Sequence, residues 1–276
     1  AHPEDDAFTH RLIEMFMVQA NEAVARTFAA LNTPILRRTH PEPKFGDMED
    51  LRMFARSVGV AMPEEPKRED LQRLLQATLE SDASRAVHFA VLKTLTQATY
   101  SPAEIGHFAL ASDHYAHFTS PIRRYPDLTV HRVIDAYLDH TDNGKSLKGG
   151  KARETLIQRL HDDDRALDEN KLVDLGSYCS STERIAEKAE RSLRTFLVMQ
   201  FLSEHHLGDE FVGIVTGFSA SGFFVSLERF LIEGLARFDL MRKATNRMDR
   251  WEKIEGTNSF IASRSGAMLS VGDRVK

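Results

Sequence analysis

A chain of 276 residues, 42% hydrophobic and 28% charged, has room for one large domain with a small one beside it, and that balance excludes a disordered tail or a fibre. The formal charge of −5 is spread as 26 Lys+Arg against 32 Asp+Glu before Gly208 and 10 against 9 from Gly208 onward. Neither part is uniformly basic, so any nucleic-acid site has to be a local arrangement. A single cysteine, Cys179, excludes an internal disulfide and a paired-cysteine zinc site. No apolar run approaches the roughly 20 residues of a membrane span, and the opening Ala1-His2-Pro3-Glu4-Asp5-Asp6 is acidic where a secretory leader is basic. A cytoplasmic location away from membranes is expected.

From Phe8 to Ala30, Ile13, Met17, Ala20, Val24 and Phe28 recur at helical spacing, with Leu12, Phe16 and Ala23 widening the stripe, which predicts a long core-facing helix. Thr33-Pro34 ends it, and Arg38-Thr39-His40-Pro41-Glu42-Pro43 reads as an extended or turning segment, since each proline disfavours helix in the residue before it. Helical patterns resume near 47–58, 68–80 and 83–97. Gly106 to Phe118 is short, apolar and aromatic, and Thr119-Ser120-Pro121 has the grammar of a helix start, with a further helix over 127–139. A polar stretch from Asp142 to Lys151 reads as a loop, and a long charged helical region covers about 152 to 204. After Gly208 the pattern changes to short β-like runs at Phe211–Thr216, Gly222–Leu227 and Leu231–Ala236, which places a domain boundary there, with residues 1–207 on one side and 208–276 on the other.

The densest polar constellation is His114-Tyr115-Ala116-His117-Phe118-Thr119-Ser120-Pro121-Ile122-Arg123-Arg124-Tyr125-Pro126-Asp127, continuing to His131-Arg132. Unpaired N–H groups and the dipole of a helix N-terminus, joined by guanidinium forks, would bind a phosphodiester. The alternative is a capped helix whose arginines pair with Asp127 or other carboxylates.

The run from Gly106-His107-Phe108 through His117-Phe118-Thr119-Ser120-Pro121-Ile122-Arg123-Arg124-Tyr125-Pro126-Asp127-Leu128 to His131-Arg132 resembles the signature of the ribonuclease R/ribonuclease II (RNB) catalytic domain. The likeness spans nearly the whole chain. It implies an α+β fold: a mostly helical C-terminal portion of the RNB domain, then a small OB-fold β-barrel. It also implies a processive 3′→5′ exoribonuclease that hydrolyses single-stranded RNA to nucleoside 5′-monophosphates. Arg123 would contact the scissile phosphate and stabilise its developing charge, supported by Arg124 and Tyr125, with His117 and Ser120 in the same RNA-binding stretch.

Other segments carry the likeness further. Leu12-Ile13-Glu14-Met15-Phe16-Met17-Val18-Gln19-Ala20-Asn21 resembles the family helix whose glutamate reads a ribose near the 3′ end, which implies that role for Glu14; Asn21 lies two turns on, on one face with it. The alternative is a solvent-exposed helix charge. Cys179 to Arg191 reads as a solvated helix with Glu187–Arg191 and Glu190–Arg194 pairs, and resembles a family helix in which a glutamate matching Glu190 lies near the active site. The Arg38–Pro43 segment matches a family loop, either shaping an RNA path or forming a rigid surface turn. Gly208 to Phe218, Gly222-Phe223-Phe224-Val225 and Glu233-Gly234-Leu235 look like the opening strands of an S1-type OB-fold, on which Phe218 and Phe223 are the expected exposed stacking pair and Phe224 the core residue. Val271 to Lys276 resembles a middle strand, so the closing strands are expected to be absent.

Family members use Mg²⁺ held by aspartates upstream of the region that Glu14 matches. In this chain His161-Asp162-Asp163-Asp164, with Asp168 and Glu169, is the one acidic concentration; its spacing does not match, and a solvated face is the default reading. His205-His206 point apart on a helix. No metal ligand is assigned, so magnesium ligands are expected from an upstream catalytic segment of the same protein, without which this segment is expected to be inactive. Single-stranded RNA with a 3′ end is the expected partner, alongside RNA-decay or ribosome-associated proteins. The rival is a non-catalytic RNA-binding or scaffold protein that retains the nuclease fold; a weaker third is a binder of some other phosphorylated ligand.

Overall fold

In the computed structural model, residues 7–81, 84–145, 150–227, 229–240, 250–254 and 259–276 are described. They form two compact units, one made of Ala1–Glu42 with Thr96–Ala189 and the other of Pro43–Leu95 with Glu190–Lys276.

The first unit opens with α1 (Ala7–Ala30), then strand β1 (Arg37–Thr39). Its core holds Ala25 and Phe28 of that helix together with Leu31 and Ile35, because a 3.6-residue repeat brings the first two onto one stripe. Helix α5 (Tyr125–His140) adds Val133 and Ala136, and α6 (Lys151–His161) adds Leu156 and Leu160. The apolar stripe of α1 is buried only in its second half. Phe8 is 78% exposed and Phe16 69%, so the expectation of a core-facing helix along its whole length is corrected. The stripe is real, but in the first turns none of the described residues covers it.

Strand β2 (Thr99–Ser101) pairs antiparallel with β1, Arg38 opposite Tyr100. Arg37, Thr39 and His40 are buried, so the Arg38–Pro43 segment begins as an inner strand and not as a surface turn. The long charged helical region expected over about 152 to 204 divides into α6 and α7 (Glu169–His205), with Asp163 at the break accepting from Arg165 and His140. Helix α7 approaches β2 through Gly176, where any Cβ would overlap the Tyr100 carbonyl oxygen. The exposed side chains Glu187, Glu190, Arg191 and Arg194 form none of the expected i, i+4 ion pairs.

In the second unit α2 (Phe45–Ser57) and α3 (Arg68–Ala77) pack on α4 (Ser84–Thr94), burying Leu51, Phe54, Leu71, Leu74, Val87 and Val91. The strand-rich remainder has a sheet ordered β5-β4-β3-β9 and a second ordered β6-β7-β8. Its strands are β3 (Gly213–Ser219), β4 (Gly222–Leu227), β5 (Ile232–Arg237), β6 (Trp251–Lys253), β7 (Ser259–Ala262), β8 (Met268–Ser270) and β9 (Arg274–Val275). Both sheets feed one aromatic core of Val215, Phe223, Phe238 and Phe260. Phe223 is 3% exposed, which corrects its assignment as an exposed stacking residue. Phe218 lies opposite it in register, packs on the same core and stacks on Phe260 at 4.6 Å, while Phe224, on the other face of β4, is half-buried. Strand alternation separated Phe223 from Phe224 correctly; which face turned inward was the wrong choice. The fold is α+β.

Candidate functional site

The arginine motif is a turn and not the first turn of a helix. The N–H groups of Arg123 and Arg124 both donate to the Ser120 carbonyl, and α5 starts only at Tyr125, with Pro126 in its first turn. Asp127, fully buried, reaches back from that turn: its Oδ1 accepts from Ser120 N at 2.8 Å and from Arg124 Nη2 at 2.7 Å. The carboxylate therefore fixes both ends of the five-residue loop. The expected hydroxyl cap at Ser120 is replaced by this reversed arrangement, and the Ser120 hydroxyl makes no hydrogen bond among the described residues.

Consequences for the two arginines differ. Arg124 is spent internally on Asp127, the alternative the sequence left open. Arg123 is exposed and has no ion pair or side-chain hydrogen bond among the described residues. Beside it Ile122 is completely exposed, and Tyr125, half exposed, has the Arg132 guanidinium 6.0 Å from its ring centre.

The segment entering the turn is held just as firmly. Asn21, 3% exposed on α1, donates from Nδ2 to the Tyr115 hydroxyl at 3.0 Å and accepts from Phe118 N at 2.9 Å. His131 Nε2 of α5 donates to the Phe118 carbonyl at 2.8 Å and its ring stacks on Phe118. Between these clamps sits His117, whose Nδ1 is 2.9 Å from the Tyr100 hydroxyl. Burial, helped by the charges of Arg124, Arg38, His107 and Arg123, pushes the His117 pKa down to about 3, so the ring is neutral. Arg38 lies 4.6 Å over the Tyr100 ring and pairs with Glu183 at 2.6 Å. His117, Ser120, Arg123, Arg124 and Tyr125 are thus gathered by one loop, and Arg38 joins them through its charge.

Glu14 is exposed in the uncovered half of α1 and Glu190 is exposed on α7; neither has a partner among the described residues. Asn21 acts as a loop clamp and not as a companion to Glu14. Tyr100 and Glu183 are site residues that carry no signal of that role in the sequence; Tyr100 is 17 positions from His117 and meets it through the fold. His206 pairs with Asp209 at 2.8 Å. Among the described residues no group of three His, Cys, Asp or Glu side chains could hold a metal ion. The two best-placed carboxylates are already committed, Asp127 to Arg124 and Asp163 to Arg165 and His140, so the residues present do not fit a magnesium centre.

The chain belongs to the RNB-domain family, whose description "RNB domain" matches residues 1–140. Ribonuclease R of Aquifex aeolicus is 34% identical over 279 residues, covering 100% of this chain and 36% of that protein. Among solved structures, Mycoplasma genitalium RNase R in complex with ribose methylated single-stranded RNA matches with a TM-score of 0.75 and 25% identity, over 95% of this chain and 38% of that one. Yeast Ssd1, described as a pseudonuclease, shares the fold with a TM-score of 0.63 and 21% identity, over 82% and 26%. The chain spans about a third of the length of the curated relatives it matches.

Proposed function

We propose that this chain is the RNA-gripping portion of a 3′→5′ exoribonuclease that hydrolyses single-stranded RNA to nucleoside 5′-monophosphates. The observation that carries it is Arg123: exposed and without an ion pair among the described residues, on a loop whose other charge is neutralised by Asp127. A guanidinium left free while its neighbour is consumed is positioned to meet an anion, and its planar fork suits a phosphate. Membership of the RNB family and the likeness to an RNase R bound to RNA support the substrate class. Glu14 reads ribose in this proposal, His117, Ser120 and Tyr125 contact the strand, Arg124 holds the loop, and Glu190 adds a contact near the reacting end. The strand-rich remainder acts as an S1-type RNA guide, with Phe218 as its partly exposed aromatic face.

In this proposal Mg²⁺ would be held by an upstream segment of the same protein, where it would supply activation of water and neutralisation of the leaving oxygen. The location is cytoplasmic, and RNA-decay or ribosome-associated proteins are the expected partners. A 5′-labelled single-stranded RNA given to the full-length protein and to this chain, with and without Mg²⁺, tests the proposal. Only the full-length protein with Mg²⁺ shortens the RNA, and Arg123→Ala removes turnover while keeping RNA affinity within several-fold. Full turnover in Arg123→Ala would refute the role of Arg123. The second reading, a non-catalytic RNA binder, draws on the lack of a metal-competent carboxylate group among the described residues; it predicts binding without shortening in the full-length protein.

A further inference from the structure

The Tyr100–His117 contact decides which hydrogen-bonding face His117 turns outward. The Tyr100 side chain is 6% exposed, and its hydroxyl has no neighbour to hydrogen-bond among the described residues other than His117 Nδ1 at 2.9 Å. If Nδ1 carried the proton, the phenol would accept it and its own buried O–H would be left without an acceptor, a cost that buried polar groups avoid. The phenol is also the stronger acid of the two, so it donates. Nδ1 of His117 is then an acceptor, and a neutral imidazole with Nδ1 as acceptor carries its hydrogen on Nε2. That Nε2 makes no hydrogen bond among the described residues.

Tyr100 is itself held from several sides. Its backbone N–H donates to Ser180 Oγ at 2.9 Å, the Arg38 guanidinium covers its ring, and Gly176 allows α7 to come up against its carbonyl. Burial raises its hydroxyl pKa to about 12, so the proton it donates is present throughout the range in which the protein folds.

We propose that His117 is a neutral Nε2–H donor to an RNA phosphodiester oxygen beside Arg123, and that Tyr100 is the positioning residue that locks it in that tautomer. The proposal rests on the RNA reading given above. The groups facing His117 are Arg38 from β1, Tyr100 from β2, His107 and Tyr115 from the segment before it, and Arg123 and Arg124 from the turn after it. Burial of the ring, with guanidiniums beside it, disfavours an imidazolium; a neutral donor adds to the grip of Arg123 on an anion with no charge of its own to desolvate. His117 therefore acts as a fixed donor and not as a proton carrier.

Long-range ¹⁵N–¹H spectra of the chain labelled at histidine read the tautomer without any substitution. The expected pattern for His117 is a pyridine-like Nδ1 and a protonated Nε2, unchanged from pH 5.5 to 8, and mixed tautomers in Tyr100→Phe. A 3′-hydroxyl oligoadenylate, followed by fluorescence anisotropy, reads the binding. His117→Ala weakens it roughly tenfold, as for a hydrogen bond to a charged group. His117→Gln, which keeps an N–H at similar reach, recovers most of that loss, and Tyr100→Phe loses roughly threefold. An Nδ1–H tautomer in the unsubstituted chain, or affinity that falls through pH 6.5 in it and stays flat in His117→Ala, overturns the proposal. Binding of the oligonucleotide with no loss in His117→Ala removes the role of His117 and leaves the RNA reading standing. No binding by the unsubstituted chain overturns both.

Discussion

Arg123 and Arg124 are neighbours in sequence and opposites in energetics. Asp127 has no solvent of its own, so its charge is stabilised by Ser120 N, by Arg124 and by the first turn of α5. Removing Arg124 strands that carboxylate, and the expected loss for Arg124→Ala is about 3 kcal/mol of folding stability. Arg123→Ala removes no side-chain partner among the described residues and is expected within about 0.5 kcal/mol of the parent. Urea unfolding of both variants checks the contrast, and equal losses would show that Arg123 also braces the loop. The buried imidazoles give a second test. Burial, with the charges of His40 and Arg38, lowers His107 to about 4, and burial, with the charges of Arg124 and Arg38, lowers His117 to about 3. In the unfolded chain both take up protons near the ordinary value of 6.5, so the unfolded state binds more protons below that pH. Their contribution is fully present above about pH 6.5 and is lost as the pH falls toward 4. Thermal unfolding midpoints across that window should drop steeply, and His107→Gln should flatten the slope; an unaltered slope would mean that His107 is protonated in the folded state.

Between elements, α7 comes up close against β2. Gly176 lets the helix backbone come within side-chain distance of Tyr100, and Ser180, one turn on, accepts the Tyr100 N–H while donating to the Gly176 carbonyl. A methyl group there meets backbone and the Leu36 side chain, neither of which can yield cheaply. Gly176→Ala should cost about 2 kcal/mol despite the better helix propensity of alanine. Because the same contact seats Tyr100, the variant should also disturb the His117 spectrum, whereas a stability loss with an unchanged spectrum would separate packing from positioning. Periodicity made most of these elements legible: the helix expected over 127–139 is α5 at Tyr125–His140, and those near 47–58, 68–80 and 83–97 are α2, α3 and α4. It failed where two segments obey one grammar. Ser120-Pro121 and Arg124-Tyr125-Pro126 both look like helix starts, and the buried Asp127, invisible to local patterning, selects the second. Likewise the stripe on α1 is continuous in sequence while its burial begins only near Asn21, because burial depends on what lies opposite.

For the whole chain the net charge of −5 supplies no overall attraction for a polyanion, and composition alone left the question of a nucleic-acid partner open. The motif residues were legible because they are contiguous, and the pairing with Asp127 stood open as an alternative; the Arg38–Glu183 pairing was not legible, since its partners meet only through the fold. Of the three guanidiniums around His117, Arg38 is answered by Glu183 and Arg124 by Asp127, which leaves Arg123 as the single uncompensated cation in that group. Counterion release then assigns a number to each residue: on single-stranded RNA each neutralised phosphate contributes about 0.7 to the slope of log affinity against log salt. Arg123→Ala should lower that slope by about 0.7, one phosphate's worth, with only a modest loss of affinity at low salt. His117→Ala should weaken binding at every salt concentration and leave the slope where it was, because a neutral donor releases no ion. If both variants lowered the slope alike, His117 would be cationic on RNA; if neither did, the phosphate would lie elsewhere on the chain.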